Sequence, residues 1–411
     1  MAKFWFVSAP LPGHLDWGGY LRTAVVLRQA GHDVYWASAR PVREMVAEKG
    51  IPFLEVSQTG WLWPLPPAPD LTGMKPDEAV RLRYSRALDT WLTEDLVVDA
   101  TRALLDLAGE EGKPDVLVTD PFLTASALAA EALDVPLAVC GWPAMPSPDE
   151  SALMPIQIEL AQKARERIAR LARVFGVQGL NFSQGLTPAV QSPHLHISYF
   201  SRYWHQADPD FLPQTQFVGG MPEAPQSEPP EWLQQMNGAA LGLVTLGTVF
   251  TGDTGFFAWA AHAMARNGLI PLVVLGRPLN AYQKGELISA LPAGTRLLNW
   301  VDYAHVFPRL KVIVHHGGMG TTHAAVVHGV PQVVVPHAAD QRGQARRVAQ
   351  AKVGLNLTAL DVQKGQLQPA VQAVVEDRRV RKTARKLAEQ FASLGGVTRA
   401  AELLSALAEQ G

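Results

Sequence analysis

Two α/β domains, each a parallel sheet of Rossmann type wrapped by helices, are what this chain predicts, and three observations predict them. Its 411 residues exceed what one ordinary core organises, so two domains of similar size are the natural division. Short apolar runs of strand length alternate with helical stretches, and the alternation occurs twice along the chain. A proline-rich polar stretch over residues 219–230, with MPEAPQSEPP inside it, separates the two series as an interdomain linker would. The expected division is a first domain over 1–218, a linker over 219–238, a second domain over 239–394 and a terminal helix over 395–411.

In the first series, residues 3–9 read as a buried strand. A loop with Pro10, Pro12, Gly13 and His14 follows, then a helix to Ala30 that Gly31 stops. A second strand starts at Asp33, a helix near 42–49 starts after Pro41 and ends at Gly50, and 51–56 is strand-like. Residues 57–76 interrupt the pattern with Trp61, Trp63 and several prolines; tryptophans need something to pack against, so this predicts an ordered loop. Residues 77–107 read as mostly helical, 116–119 as a strand, 122–133 as a helix and 137–140 as a strand. In the second series, 241–246, 269–275, 296–298, 311–314 and 332–335 read as strands with helices between them, and the chain closes on the amphipathic VTRAAELLSALAEQG.

Composition narrows the function. Hydrophobic residues make up 47% of the chain, as in globular proteins. The net charge of -2 and the lack of a long basic run leave no footprint for nucleic acid, so a small-molecule partner is expected. Cys140 is the only cysteine, which rules out an internal disulfide and fits a reducing compartment. The apolar run 4–7 is too short for the core of a signal peptide, and no stretch reaches the roughly 18 apolar residues of a membrane span. The expectation is a cytoplasmic protein with no transmembrane segment.

Residues 299–341, NWVDYAHVFPRLKVIVHHGGMGTTHAAVVHGVPQVVVPHAADQ, carry the strongest chemical signal. The strand-length run 311–314 is followed by glycines and then by a helical stretch over 321–327, so the chain turns sharply at the strand's carboxyl end. A phosphate fits there. Gly317, Gly318 and Gly320 let backbone approach closely, and the first N–H groups of the helix with its dipole face an anion without a metal. His316 can donate a charge-assisted bond to the same phosphate, and Trp300 offers a face to a planar base.

This segment resembles the donor signature of the family 1, UDP-glycosyltransferase-like enzymes, and HHGGMGT resembles its bacterial macrolide and carotenoid form. The resemblance implies the GT-B fold, two Rossmann-like domains facing across a cleft, with the terminal helix returning to the first. It implies that Trp300 and Val301 meet the nucleotide base, that His316, Gly317, Gly318, Gly320 and Thr321 hold the diphosphate, and that Asp340 and Gln341 bind hexose hydroxyls. The implied activity is inverting transfer of a hexose, glucose by expectation, from a nucleoside diphosphate sugar to a hydroxyl of an apolar small molecule, giving a β-glycoside. The co-substrate is UDP-glucose or a dTDP-sugar; no further cofactor and no metal are expected. Where plant members place a ribose-binding glutamate, this chain has Ala324, which leaves uridine or deoxythymidine open.

Glycosyl transfer also needs a base. His14 lies after the first strand, at the carboxyl end where such sheets place ligands, and Gly13-His14 matches the family's catalytic pair. Asp120, in TDPF, ends the 116–119 strand and can bond the other imidazole nitrogen. From its loop alone His14 is as well read as a helix-capping histidine, and Asp120 as the N-cap of the helix that follows. Gly247 and Thr248 can offer an N–H and a hydroxyl to a phosphate, and a plain strand-to-helix turn explains them equally. Trp61, Trp63, Trp91, Phe122 and Trp142 fall in the half that binds acceptors in the resembled family, and core packing is the alternative for each. His315 reads as structural. Asp208 and Asp210, in DPD, read as a turn rather than a metal motif, and His323, His328 and His337 show no metal-ligand spacing. A dinucleotide oxidoreductase fails because the first loop lacks G-x-G-x-x-G and GGMGTTH lacks its third glycine. A nucleotide-sugar-binding protein without transferase activity, or a same-fold epimerase, is the remaining alternative.

Overall fold

The structure, a computed structural model, describes residues 1–16, 18–67, 69–208, 210–248, 253–337 and 341–410. The chain forms two compact units. One comprises Met1–Tyr199, Pro209–Val218 and Val397–Gly411, the other Phe200–Asp208 and Gly219–Gly396.

The first unit is built on a seven-stranded sheet. Its strands are β1 (Lys3–Val7), β2 (Asp33–Ser38), β3 (Phe53–Glu55), β4 (Val116–Thr119), β5 (Leu137–Cys140), β6 (Leu195–Ser198) and β7 (Thr215–Phe217), in the order β3-β2-β1-β4-β5-β6-β7. Every pairing is parallel. Helices cover such a sheet on both faces, and this is why β1, β4 and β5 are continuous apolar runs rather than alternating ones. The strand order reverses between β1 and β4, and Val7 pairs with Thr119 there, so the loops after these two strands emerge side by side. Leu117, Leu137 and Val139 face a cluster with Leu92, Val97, Leu104 and Leu128 from the covering helices.

The second unit repeats the plan with six parallel strands: β8 (Leu241–Thr245), β9 (Ile270–Val274), β10 (Arg296–Leu298), β11 (Leu310–His315), β12 (Gln332–Val334) and β13 (Gly354–Asn356). Their order is β10-β9-β8-β11-β12-β13, with the reversal at β8 and β11, where His315 pairs with Thr245. One face packs on Phe256, Phe257, Met264 and Val371, the other on Leu233, Val301, Phe307 and Ala325.

Several elements depart from the sequence expectation. Pro12–Leu15 is a short helix rather than loop, with proline in its first turn, where a missing N–H costs nothing. The helical stretch expected over 77–107 is two helices, Pro76–Leu92 and Glu94–Glu111, because Thr93 leaves helical space at ψ 113. The helix Pro155–Phe175 and the strands β6, β7 and β13 had no expectation; strands of three or four residues are too short to show a period. Residues 200–208, placed by sequence in the first domain, cluster with the second unit, because Phe200 and Trp204 pack against Phe391. Among the described residues no helix is long and apolar enough to cross a membrane.

Candidate active site

His14 and Asp120 are 106 positions apart in sequence, and the β1–β4 adjacency brings them into contact. His14 sits in the helix Pro12–Leu15 after β1, Asp120 directly follows β4, and Nδ1 of the imidazole lies 3.1 Å from Oδ2 of the carboxylate. Asp120 is fully buried while the His14 side chain keeps 13% exposure, an arrangement that anchors one end of the imidazole and presents the other. Asp120 does not cap the next helix, which starts at Thr124 behind Leu123. Its Oδ1 instead accepts the Phe122 N–H at 2.8 Å, fixing the carboxylate by a turn two residues long.

The aromatic candidates separate. Trp61 meets the His14 ring edge-on at 5.0 Å, Phe122 lies 6.0 Å from His14, and Trp61 and Phe122 are 5.7 Å apart. The indole Nε1 of Trp61 is buried and has no hydrogen-bond partner among the described residues, a donor that a ligand's oxygen would satisfy. Trp91 packs on the hydrophobic core and accepts the Thr124 hydroxyl on its carbonyl at 3.0 Å. Trp63 is 39% exposed, and Trp142 gives its carbonyl to His196.

In the second unit the glycine turn after β11, expected to hold the diphosphate, is a close-packed nest. Gly317 has φ +89, a conformation that favours glycine, and a Cβ there would stand 2.9 Å from the Gln341 carbonyl oxygen. A Cβ on Gly318 would stand 2.4 Å from Nε2 of His316, and one on Gly247, at φ +70, 2.8 Å from its Cε1. The imidazole of His316 therefore lies between the turns after β8 and β11. The helix Met319–Val327 begins two residues earlier than expected, so Met319, Gly320 and Thr321 supply its first N–H groups. Burial, with the neighbouring charges of His315 and His337, pushes His316 down to about 3 against a raising bond from the Thr245 backbone. The imidazole is thereby neutral, so any bond it donates to an anion would draw its charge from the anion alone. His315 is structural, bonded to Gln332 Oε1 at 2.9 Å and accepting the Gly317 N–H at 3.1 Å, with burial holding it near about 4.

Trp300 is 64% exposed and lies parallel to Tyr303, 6° between planes at a centroid distance of 6.4 Å. Sequence reading missed Tyr303; its place three residues after Trp300 was the available signal. Burial raises the pKa of its hydroxyl, with the Thr321 side chain beside it lowering it in part. Tyr303 thus sets the Trp300 segment beside the start of the helix Met319–Val327. Val301 is buried in the core, so its side chain is unavailable and only its backbone can meet a ligand. Thr248 is half-buried at the turn after β8. Gln341 opens the helix Gln341–Gln350, buried, with Oε1 accepting the His337 N–H at 2.9 Å. Asp340 lies outside the described residues. Asp253, also missed, caps the helix Thr254–Arg266 through the Phe256 N–H and stands 3.9 Å from His337 Nε2. Among the described residues no three metal-type ligands gather.

Residues 278–407 match the family described as Erythromycin biosynthesis protein CIII-like, C-terminal domain. Over 421 aligned positions the chain is 28% identical to a demethyllactenocin mycarosyltransferase of Streptomyces fradiae, covering 99% of this chain and 87% of that protein. The solved glycotransferase of kitacinnamycin superposes with a TM-score of 0.74 at 22% identity, covering 99% of each chain. A spinosyn rhamnosyltransferase complexed with thymidine diphosphate superposes with a TM-score of 0.71 at 21% identity, covering 98% of this chain and 99% of that one.

This chain is a glycosyltransferase, similar in sequence and fold to the family 1 enzymes of the bacterial natural-product type. The two parallel-sheet units are those of the GT-B fold. In this glycosyltransferase the switch point of the first sheet carries the histidine–aspartate pair, and that of the second carries the glycine nest.

Proposed function

We propose that the enzyme transfers a hexose from a nucleoside diphosphate sugar to a hydroxyl of an apolar small molecule, with inversion at the anomeric carbon. The observation that carries this reading is the 3.1 Å contact between His14 Nδ1 and Asp120 Oδ2 at the switch point, with aromatic rings beside it. With Nδ1 donating to the carboxylate, Nε2 presents the lone pair that takes the acceptor's proton. The acceptor oxygen forms its bond to the anomeric carbon as the bond from that carbon to the diphosphate oxygen breaks. The proton ends on Nε2, and the imidazolium is stabilised by Asp120. Attack opposite the leaving group turns an α-linked donor into a β-glycoside.

The departing diphosphate is assigned to the first N–H groups of Met319–Val327, the Gly317–Gly318 backbone and His316, with Gly247 and Thr248 beside them. On this assignment no metal is needed, and added EDTA leaves the rate unchanged. Asp340 and Gln341 hold the hexose hydroxyls, and Trp300 backed by Tyr303 takes the base. Trp61 and Phe122 form the apolar wall for the acceptor, and we place the reaction in the cytoplasm. Ala324 puts no carboxylate against the ribose, so deoxythymidine donors are used beside uridine ones; the thymidine diphosphate complex of the rhamnosyltransferase neighbour supports that reading.

The test is product formation, read by mass spectrometry, with a mixed aglycone library and UDP-glucose, dTDP-glucose and dTDP-rhamnose as donors; the last follows the mycarosyl- and rhamnosyltransferase names among the relatives. A product of inverted anomeric configuration on a hydroxyl of an apolar aglycone supports the reading. A product with retained anomeric configuration sinks the mechanism.

A further inference from the structure

The Asp-Pro-Asp stretch at 208–210 has no task in the mechanism above. Asp208 makes the turn the sequence predicts, its N–H bonding the His205 carbonyl at 2.9 Å, but its side chain does something more. It is 4% exposed and faces Arg347, itself 6% exposed. Its Oδ2 accepts from Arg347 Nε at 2.9 Å, from Arg347 Nη2 at 2.6 Å and from His205 Nδ1 at 2.8 Å, while Oδ1 accepts from Arg346 Nη2 at 3.1 Å. Burial raises its pKa, but His205 and Arg347 outweigh burial and hold it at about 2. One turn of helix earlier, Gln344 accepts the Trp204 indole N–H at 2.9 Å, and its own amide reaches Met319 Sδ at 3.4 Å. Trp204 is anchored in turn, stacked on Phe200 at 5.4 Å and edge-on to Phe391 at 6.4 Å.

Gln341, Gln344 and Arg347 recur at a spacing of three, so they lie on neighbouring positions of one helix flank. The residues they address have meaning for the site. Gln341 is the first residue of its helix, Met319 is the first residue of the phosphate helix, and the Gly317 turn rests on the Gln341 carbonyl. A buried carboxylate held by two arginines and a histidine is costly to desolvate and adds little net stability over an apolar replacement, so its effect is better sought in fixing one geometry.

We propose that Asp208 and Trp204 are positioning residues for the sugar donor: they lock the helix Gln341–Gln350 in rotation and register against the start of the phosphate helix, so that hexose and diphosphate are gripped at a fixed spacing. This rests on the reading of Gln341 as a hexose ligand. It extends that reading to residues that touch no substrate.

The test uses the full chain and measures KM for the nucleotide sugar, KM for the acceptor, kcat, binding of the bare nucleoside diphosphate by calorimetry, and Tm. Asp208→Asn is expected to raise donor KM about tenfold, the size of one lost hydrogen bond to a charged group, with bare nucleotide binding changed under about threefold and acceptor KM unchanged. Trp204→Phe, which keeps the ring and removes only the N–H, should move donor KM in the same direction by about three- to fivefold, and it decides the matter if Asp208→Asn does not fold. A purely structural role would lower Tm and the active fraction while leaving every KM alone, and that outcome overturns the proposal. So does equal loss of affinity for sugar nucleotide and bare nucleotide. Gln341→Ala, run in parallel, separates the two ideas: unchanged donor KM there removes the hexose-ligand reading, whereas a raised KM there with normal donor KM in both other variants removes the positioning role alone.

Discussion

The glycine nest of the second unit and the histidine–aspartate pair of the first use different materials for their chemistry. The nest is mostly backbone: Gly247, Gly317 and Gly318 clear the space, the first N–H groups of the helix Met319–Val327 open beside it, and burial keeps the imidazole of His316 neutral. The pair is mostly side chain: one imidazole nitrogen on one buried carboxylate oxygen, the other oxygen tied to a backbone N–H. A backbone site is spoiled by adding atoms, and a proton-transfer site by exchanging them. The two halves should therefore fail under opposite kinds of substitution and in different kinetic constants.

The largest effect is expected at the base. His14→Ala should lower kcat by roughly 10²-fold or more while nucleotide affinity stays at the wild-type value. Turnover near the wild-type rate would remove His14 from the mechanism and leave the pair a structural contact. Asp120→Asn keeps the shape but cannot stabilise an imidazolium, so we expect a fall in kcat of roughly tenfold or more, smaller than that of His14→Ala. A loss larger than that of His14→Ala would mean the carboxylate chiefly holds the fold of the loop after β4.

On the other side of the comparison, Gly318→Ala adds one methyl group 2.4 Å from His316 Nε2. Displacing the imidazole should weaken nucleoside diphosphate binding by about tenfold, the scale of one charge-assisted bond, with acceptor KM untouched. If calorimetry finds normal nucleotide affinity in this variant, His316 is not a phosphate ligand. A milder change tests the ribose: Ala324→Glu should shift preference toward uridine over deoxythymidine donors by roughly 1 kcal/mol in competition kinetics, and strict uridine selectivity of the unaltered enzyme would show that another group reads the 2′ position.

The smallest effect concerns acid. His315 and His316 are held near about 4 and about 3, below the ordinary 6.5. The unfolded chain therefore binds more protons between those values, and stability present above about pH 6.5 is lost as pH falls toward about 4. Tm measured from pH 7 to pH 4.5 should fall, and His315→Asn should flatten that slope in part, since His196 is also held near about 4 in the first unit. An unaltered slope in His315→Asn would place the acid sensitivity elsewhere.

The sequence alone determined the double α/β pattern and the glycine turn after β11, and for a common reason. Parallel strands buried on both faces must be continuous apolar runs, and an anion site made of backbone must be written as glycines at the end of such a run. Both are local signals, so 312–320 could be read almost residue by residue. The pairing of His14 with Asp120 was accessible only through family resemblance, because the loops after β1 and β4 meet by strand order, which no local pattern encodes. Tertiary structure alone decided the rest. It set Trp61 and Phe122, not Trp63, on the His14 ring; it sank Val301 into the core; and it turned the Asp208 turn into a buried arginine clamp. Each of these depends on which surfaces residues distant in sequence bury against one another, and a side chain's burial partner is a property of the packed fold rather than of its neighbours in the chain.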